Sequence, residues 1–233
     1  MATIDSHHGH AHPPNTSVGR TYHDTYKAAG HFLDREHEFD SCKMGVWLFL
    51  ATEILLFSGM FCAYAIFRMM HPEAFIAGGG HLEVKWGFIN TMVLLLSSWT
   101  VASAVRNAQM GQIGKLKLNL LITTVCGGIF LAIKFIFEYY KKYSEGLLPG
   151  KFYSYPYSES PYEPMWWGVY WVATGIHASH VIVGMGLMLW LYIRASKNHF
   201  GPRHYTAVEG VGLYWHIVDI VWIFLFPMLY LIH

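Results

Sequence analysis

A chain of 233 residues that is 54% hydrophobic and 17% aromatic but only 13% charged lies far below the roughly 25% charged residues of an average soluble domain. Its formal net charge of +1, with basic residues held in short polar stretches, implies no nucleic-acid or polyanion partner. Cys42, Cys62 and Cys126 are scattered without metal-ligand spacing and read as small packing residues, and the polar start of the chain shows no signal peptide.

Residues 1–42 form a polar leader rich in histidine, with His7, His8, His10 and His12 close together. A His-rich tract can bind metal, but nothing in the pattern supplies a fixed second shell. The expectation is a mobile segment ending in a short interfacial helix near 31–39. The remainder, 43–233, contains five apolar segments: 44–69, 86–105, 116–140, 166–194 and 207–232. Each is near the ~20 residues needed to span a bilayer as a helix. The fold expected is therefore all-α, a polytopic membrane bundle of five transmembrane helices. Residues 141–164, rich in Tyr, Pro, Ser and Gly, read as an ordered external loop. Small residues inside the spans (Gly59, Ser97, Ser98, Gly127, Gly128, Gly175, Ser179, Gly184 and Gly186) permit close helix contact.

Basic residues set the expected orientation. Arg20, Lys27, Arg35, Lys43, Arg106, Lys115, Lys117, Arg194, Lys197 and Arg203 fall on one side. Arg68, Lys85, Lys141, Lys142 and Lys151 fall on the other, and Lys134 lies within a span. The first, richer side is expected to be cytoplasmic, which places the N-terminus inside and the C-terminus outside.

Ionisable residues inside the spans ask for an explanation, because charge near a bilayer centre costs about 2.5–3.5 kcal/mol on insertion scales. Glu53 lies roughly 13 Å into the first span at 1.5 Å per residue, too deep for its short side chain to reach water. It is either a carboxylic acid hydrogen-bonded across helices, a proton relay, or a polar anchor beside a lipid head group. Lys134 and Glu138, four apart, share a helix face and read as a structural ion pair. In the last span Glu209, Gly212, His216 and Asp219 follow steps of three and four and line one side of a helix. Asp219, within a turn of His216, is expected to accept its ring proton.

His177 and His180 stand three apart in the fourth span. A His-x-x-His pair alone is a weak metal signal, since a site needs at least three convergent ligands. The Glu-x-x-His repeat on two helices that carboxylate-bridged metal bundles use is absent. A haem held between His177 and His216 is the rival reading, that of an autonomous membrane haem or metal protein. No Cys-x-x-Cys-His, phosphate-cradling Gly loop or nucleophile triad is present. The residues alone therefore describe a five-helix membrane protein with an embedded polar seam, working with partners.

Four stretches carry a further signal: Thr-Glu-Ile-Leu-Leu-Phe around Glu53, residues 90–98 (NTMVLLLSS), residues 173–184 (ATGIHASHVIVG) and residues 209–222 (EGVGLYWHIVDIVW). In that order they resemble subunit III of the haem-copper oxidases, the cytochrome c and quinol oxidase family, over essentially all of 43–233. Mitochondrial-type versions have seven spans; this chain resembles the five-span bacterial form, in which partner helices or lipid would occupy the space of the first two. The resemblance implies a non-catalytic accessory subunit of an oxidase in the bacterial inner membrane. It implies no catalytic residue and no metal or redox cofactor in this chain, with haem and copper in the partner subunits. Subunits I and II and phospholipid are the implied partners, with a larger respiratory supercomplex beyond them. The implied complex reduces oxygen to water and pumps protons, with subunit III stabilising subunit I, binding lipid and supporting proton uptake. By position, Glu53, Glu209, His216 and Asp219 would form the buried polar or lipid-binding seam, with His177 and His180 on the neighbouring helix. Trp215 and Trp222 would be packing or lipid contacts.

Overall fold

The computed structural model describes residues 35–158, 160–202 and 204–231. The leader histidines His7, His8, His10 and His12, and the start of the expected interfacial helix, lie outside the described residues. The elements in order are α1 (Arg35–Met70), α2 (Pro72–Gly80), α3 (Val84–Gln109) and α4 (Ile113–Ile133). A π-helical turn (Lys134–Tyr139) carries α4 into α5 (Tyr140–Ser144); α6 (Glu163–Ser196) and α7 (Thr206–Tyr230) complete the chain. By length and composition five stretches can cross a membrane: His37–Met70, Val84–Gln109, Ile113–Ser144, Glu163–Ser196 and Thr206–Tyr230.

Several helices outrun the apolar segments that announce them. The 36 residues of α1 extend about 54 Å, well beyond a hydrocarbon core of about 30 Å. Around the core the helix continues into polar sequence, so 35–43 is the first part of α1 rather than a separate surface helix. Likewise the loop expected over 141–164 is helical to Ser144 and again from Glu163. The nine residues of α2 are too few to span and were not anticipated from apolar length.

Helix boundaries follow local chemistry. Pro72 and Pro164 occupy the first turns of α2 and α6, where the missing N–H is no loss. Gly111, at φ 70°, ends α3 in the left-handed region, with Gln112 N–H donating to the Asn107 carbonyl at 2.9 Å. Asn198, at φ 54°, does the same after α6; Asn tolerates this conformation better than most residues.

α3, α4, α6 and α7 form a four-helix bundle, with α1 laid along α7 and α2 against α6. The buried seam of α3 runs Gly87, Asn90, Leu94, Ser97, Val101, Ala104 and Ala108. These recur in steps of three and four, and their small side chains let α4 and α7 approach closely. Trp215 of α7 is the wedge at the centre. A Cβ on Gly127 of α4 would lie 2.9 Å from its ring, and one on Gly184 of α6 would lie 2.7 Å from it. Its Nε1–H donates to Ser97 Oγ of α3 at 2.9 Å, so one side chain touches all three neighbouring helices. Along α1 the Tyr64 hydroxyl donates to the Met228 carbonyl near the end of α7, satisfying one of the carbonyls a helix C-terminus leaves open. Outward faces are apolar, with Leu55 and Met69 on α1, Trp99 on α3 and Ile136 beyond α4 all exposed.

Candidate functional site

α1 meets α6 through Glu53 and His180. Glu53 Oε2 stands 2.7 Å from His180 Nε2, with each side chain 16% exposed. His180 Nδ1 lies 2.8 Å from the Ile176 carbonyl. A carbonyl only accepts, so Nδ1 carries a hydrogen. The contact at Nε2 then holds one further proton, either on the acid facing a neutral ring or on the ring facing a carboxylate. Both forms leave the pair with zero net charge, which suits a position inside the membrane. Phe57 packs 5.1 Å from the imidazole, and Tyr214 of α7 donates its hydroxyl to the His180 carbonyl at 3.1 Å.

Tyr214 is also a wall of a cavity of about 430 Å³ between the first turns of α1, the end of α6 and the start of α7. Glu38, Cys42 and Arg194 stand among its lining residues, with Phe49 and Trp190 beside Tyr214. The Arg194 guanidinium rests 5.0 Å from the Trp190 ring. The cavity thus combines apolar walls with charged groups in the manner of sites for amphiphiles.

The residues of α7 expected in one seam fall into separate environments. Glu209 pairs with Lys43 of α1 at 3.5 Å. His216 Nδ1 lies 2.7 Å from Ser98 Oγ of α3. Asp219 is buried beside Ser97 and Ser98, and among the described residues neither of its carboxylate oxygens has a hydrogen-bond partner within normal geometry. The expected hydrogen bond from the His216 ring to Asp219 is therefore not made. Three residues on a helix turn through 300°, which leaves His216 at the bundle edge facing α3 and points Asp219 inward.

His177 and His180 diverge for the same reason. His180 reaches α1, whereas His177 is buried between Phe130, at 5.5 Å, and Trp222, at 5.2 Å. Neither of its ring nitrogens has a hydrogen-bond partner among the described residues. His177 and His216 face different neighbours, so the haem geometry proposed between them is not formed. Among the described residues no three His, Cys, Asp or Glu side chains converge on a point that could hold a metal ion.

Lys134 and Glu138 meet within the π-helical turn, 1% and 4% exposed. Lys134 Nζ donates to Glu138 Oε2 and to the Tyr230 hydroxyl, and lies 3.3 Å from the Tyr170 hydroxyl. Tyr170 and Tyr230 both donate to the same Glu138 oxygen. Four aromatic faces, of Tyr139, Tyr170, Trp222 and Tyr230, surround the ammonium at 5.0–5.8 Å. The pair is thus part of a four-residue hydrogen-bonded network, with Tyr170 and Tyr230, joining the end of α4 to α6 and α7. Tyr170, Tyr230 and Tyr214 were not singled out by sequence, and Ser98 was marked only as a small residue of close helix contact. Their only signal is a polar tip on an otherwise apolar helix face, which many packing tyrosines and serines share.

Residues 36–233 match the family described as cytochrome c oxidase subunit III. The chain is similar to cytochrome c oxidase subunit 3 of Corynebacterium diphtheriae, 31% identical over 191 residues that cover 81% of this chain and 87% of that one. It is equally similar to the Loxodonta africana subunit, 31% identical over 199 residues covering 82% of this chain but 69% of the relative. A haem-copper oxidase subunit I+III of Aeropyrum pernix is 30% identical over 201 residues, which cover 83% of this chain and 23% of that longer one. With its five membrane-length helices and this match across nearly all of them, the chain is a multi-pass bacterial membrane protein belonging to the cytochrome c oxidase subunit III family.

Proposed function

We propose that this accessory subunit of a terminal oxidase works without a redox centre of its own, as a lipid-bearing support for the subunit that reduces oxygen. Haem and copper belong to the partner subunits I and II, whose complex reduces oxygen to water and pumps protons. Packing against subunit I is supported by the relative whose name joins subunits I and III in one chain. The N-terminus faces the cytoplasm and the C-terminus the outside, supported by the surplus of Lys and Arg on the leader side.

The observation that carries this reading is the Glu53–His180 pair. An acid and an imidazole that satisfy one another bind no cofactor, yet hold a proton at the edge of the bundle. The adjoining cavity takes a phospholipid, with its acyl chains along Phe49 and Trp190 and its head group near Arg194. Glu38, Phe39 and Cys42 in the first turns of α1 border this opening. The rival autonomous haem reading loses its support with His177 enclosed by Phe130 and Trp222.

The test is an oxidase purified with this subunit, without it, and with Glu53→Gln. Removal of the subunit is expected to leave initial turnover near normal while activity decays several-fold faster during sustained turnover. Glu53→Gln should move durability in the same direction with the subunit still bound. Equal durability in all three preparations would remove the supporting role.

A further inference from the structure

The Glu53–His180 pair closes on itself, whereas the partly buried imidazole of His216 does not. His216 Nδ1 is occupied by Ser98. The rigid ring then directs Nε2 away from α3, and Nε2 has no hydrogen-bond partner among the described residues. The residue is only partly buried, so this nitrogen lies at the surface of the bundle. It is the eleventh residue of α7, about 15 Å from one end of the helix and 21 Å from the other at 1.5 Å per residue. No lipid head group reaches that depth in a hydrocarbon core of about 30 Å.

Exposed hydroxyls elsewhere solve the same problem locally. Thr52 Oγ1 donates to the Phe49 carbonyl at 2.6 Å and Ser179 Oγ to the Ile176 carbonyl at 2.7 Å, each on its own helix. An imidazole whose Nδ1 is already engaged cannot fold its Nε2 back. Left against acyl chains, that nitrogen would carry the full cost of a polar group without a partner. Around it the surface is otherwise apolar and exposed: Ile220 and Ile223 on α7, and Leu95 beside Ser98 on α3.

We infer that the α3–α7 face centred on His216 and Ser98 is a protein interface. It is met at mid-membrane by a transmembrane helix of another oxidase subunit that offers one hydrogen-bonding side chain to His216 Nε2. The complementarity is specific: an apolar helix surface with a single hydroxyl, carboxamide or carboxyl at the depth of His216. The face of α1 and α6 around Glu53 is the opposite case, already satisfied internally and suited to lipid. This inference rests on the accessory-subunit reading and adds which face meets protein.

The intact oxidase complex tests it. A photoreactive benzoylphenylalanine in place of Ile220 is expected to couple this chain to another oxidase subunit on illumination. In a separate preparation, His216→Leu should raise the fraction of complexes that lose this subunit in mild detergent by roughly 3- to 20-fold, the range for a single interhelical hydrogen bond. His216→Gln, which keeps a hydrogen-bonding tip, should restore most of the retention. Adducts to lipid alone, or to a second copy of this chain, would overturn the inference. So would unchanged retention in His216→Leu, because leucine suits lipid better than imidazole. A chain that never copurifies with the oxidase would instead remove the accessory-subunit reading on which the inference stands.

Discussion

Glu53 and His180 each solve the other's problem, and neither is easily replaced alone. Their contact at 2.7 Å shares a proton in a place where an isolated carboxylate or imidazolium would be expensive. Leaving one polar partner unsatisfied costs about 1–3 kcal/mol. Glu53→Leu and His180→Leu are therefore each expected to weaken the subunit by about that much. The double variant should cost clearly less than the sum, with a coupling of about 0.5–3 kcal/mol. Thermal loss of the subunit from the complex, followed for all four proteins, measures this cycle. Additive effects would mean the pair is incidental. From sequence, Glu53 stood out by depth and His180 by its His-x-x-His spacing. Their pairing joins residues 127 positions apart, and no local pattern reports a contact of that kind. The local inference that could be drawn, from His216 to Asp219, named the wrong partner because a neighbouring helix supplied Ser98 instead.

Among the elements, α7 is held by what its neighbours lack. Trp215 fits only because Gly127 and Gly184 carry no Cβ. Gly184→Ala, whose Cβ would meet Trp215 at 2.7 Å and Tyr214 at 3.4 Å, is expected to destabilise by about 1–3 kcal/mol through overpacking. Gly186→Ala, two residues on, meets nothing within 4 Å and should be neutral or slightly stabilising, since alanine favours helix. Comparing the melting temperatures of the two variants checks the wedge. Sequence marked Gly127, Gly175, Gly184 and Gly186 alike as sites of close approach. Only Gly127 and Gly184 serve Trp215, while a Cβ on Gly175 or Gly186 would enter open space. Which small residue faces a large neighbour depends on helix rotation, which composition does not fix.

The connection into α6 has its own pH signature. Tyr153 donates its hydroxyl to Glu163 Oε2 at 2.5 Å. Burial first, and then the bond to Glu163, push its pKa up from 10.0 to about 12. A raised folded-state pKa gives stability that is fully present below the unfolded value and lost as pH rises from about 10 to about 12. Backbone order at Gly150–Phe152 and the first turn of α6 should therefore loosen across that window. Tyr153→Phe should remove this alkaline step from a hydrogen-exchange profile of the loop. An unchanged step in the variant would assign it to another group. At the start of α3, the Lys141 ammonium holds the Glu83 carboxyl below its usual value. Both side chains are about half exposed, so this pair orients the connection more than it stabilises it.

Across the whole molecule, the five spans were legible because twenty apolar residues have few alternatives in water. Their ends were not, since α1 and α6 continue as helix into polar sequence once outside the hydrocarbon. α2 was missed because nine residues with three glycines carry neither a spanning length nor a clear amphipathic stripe. The polar side chains were legible as a list but not as an arrangement. The bundle distributes them into a closed acid–imidazole pair, a caged ion pair, an inward acid and an outward-facing imidazole. None of these arrangements asks for a metal or haem in this chain. The most direct check is the haem, iron and copper content per oxidase, with the visible spectrum, determined in the presence and absence of this subunit. Equal contents and superimposable spectra are predicted; loss of one haem or metal equivalent together with the subunit would contradict the account.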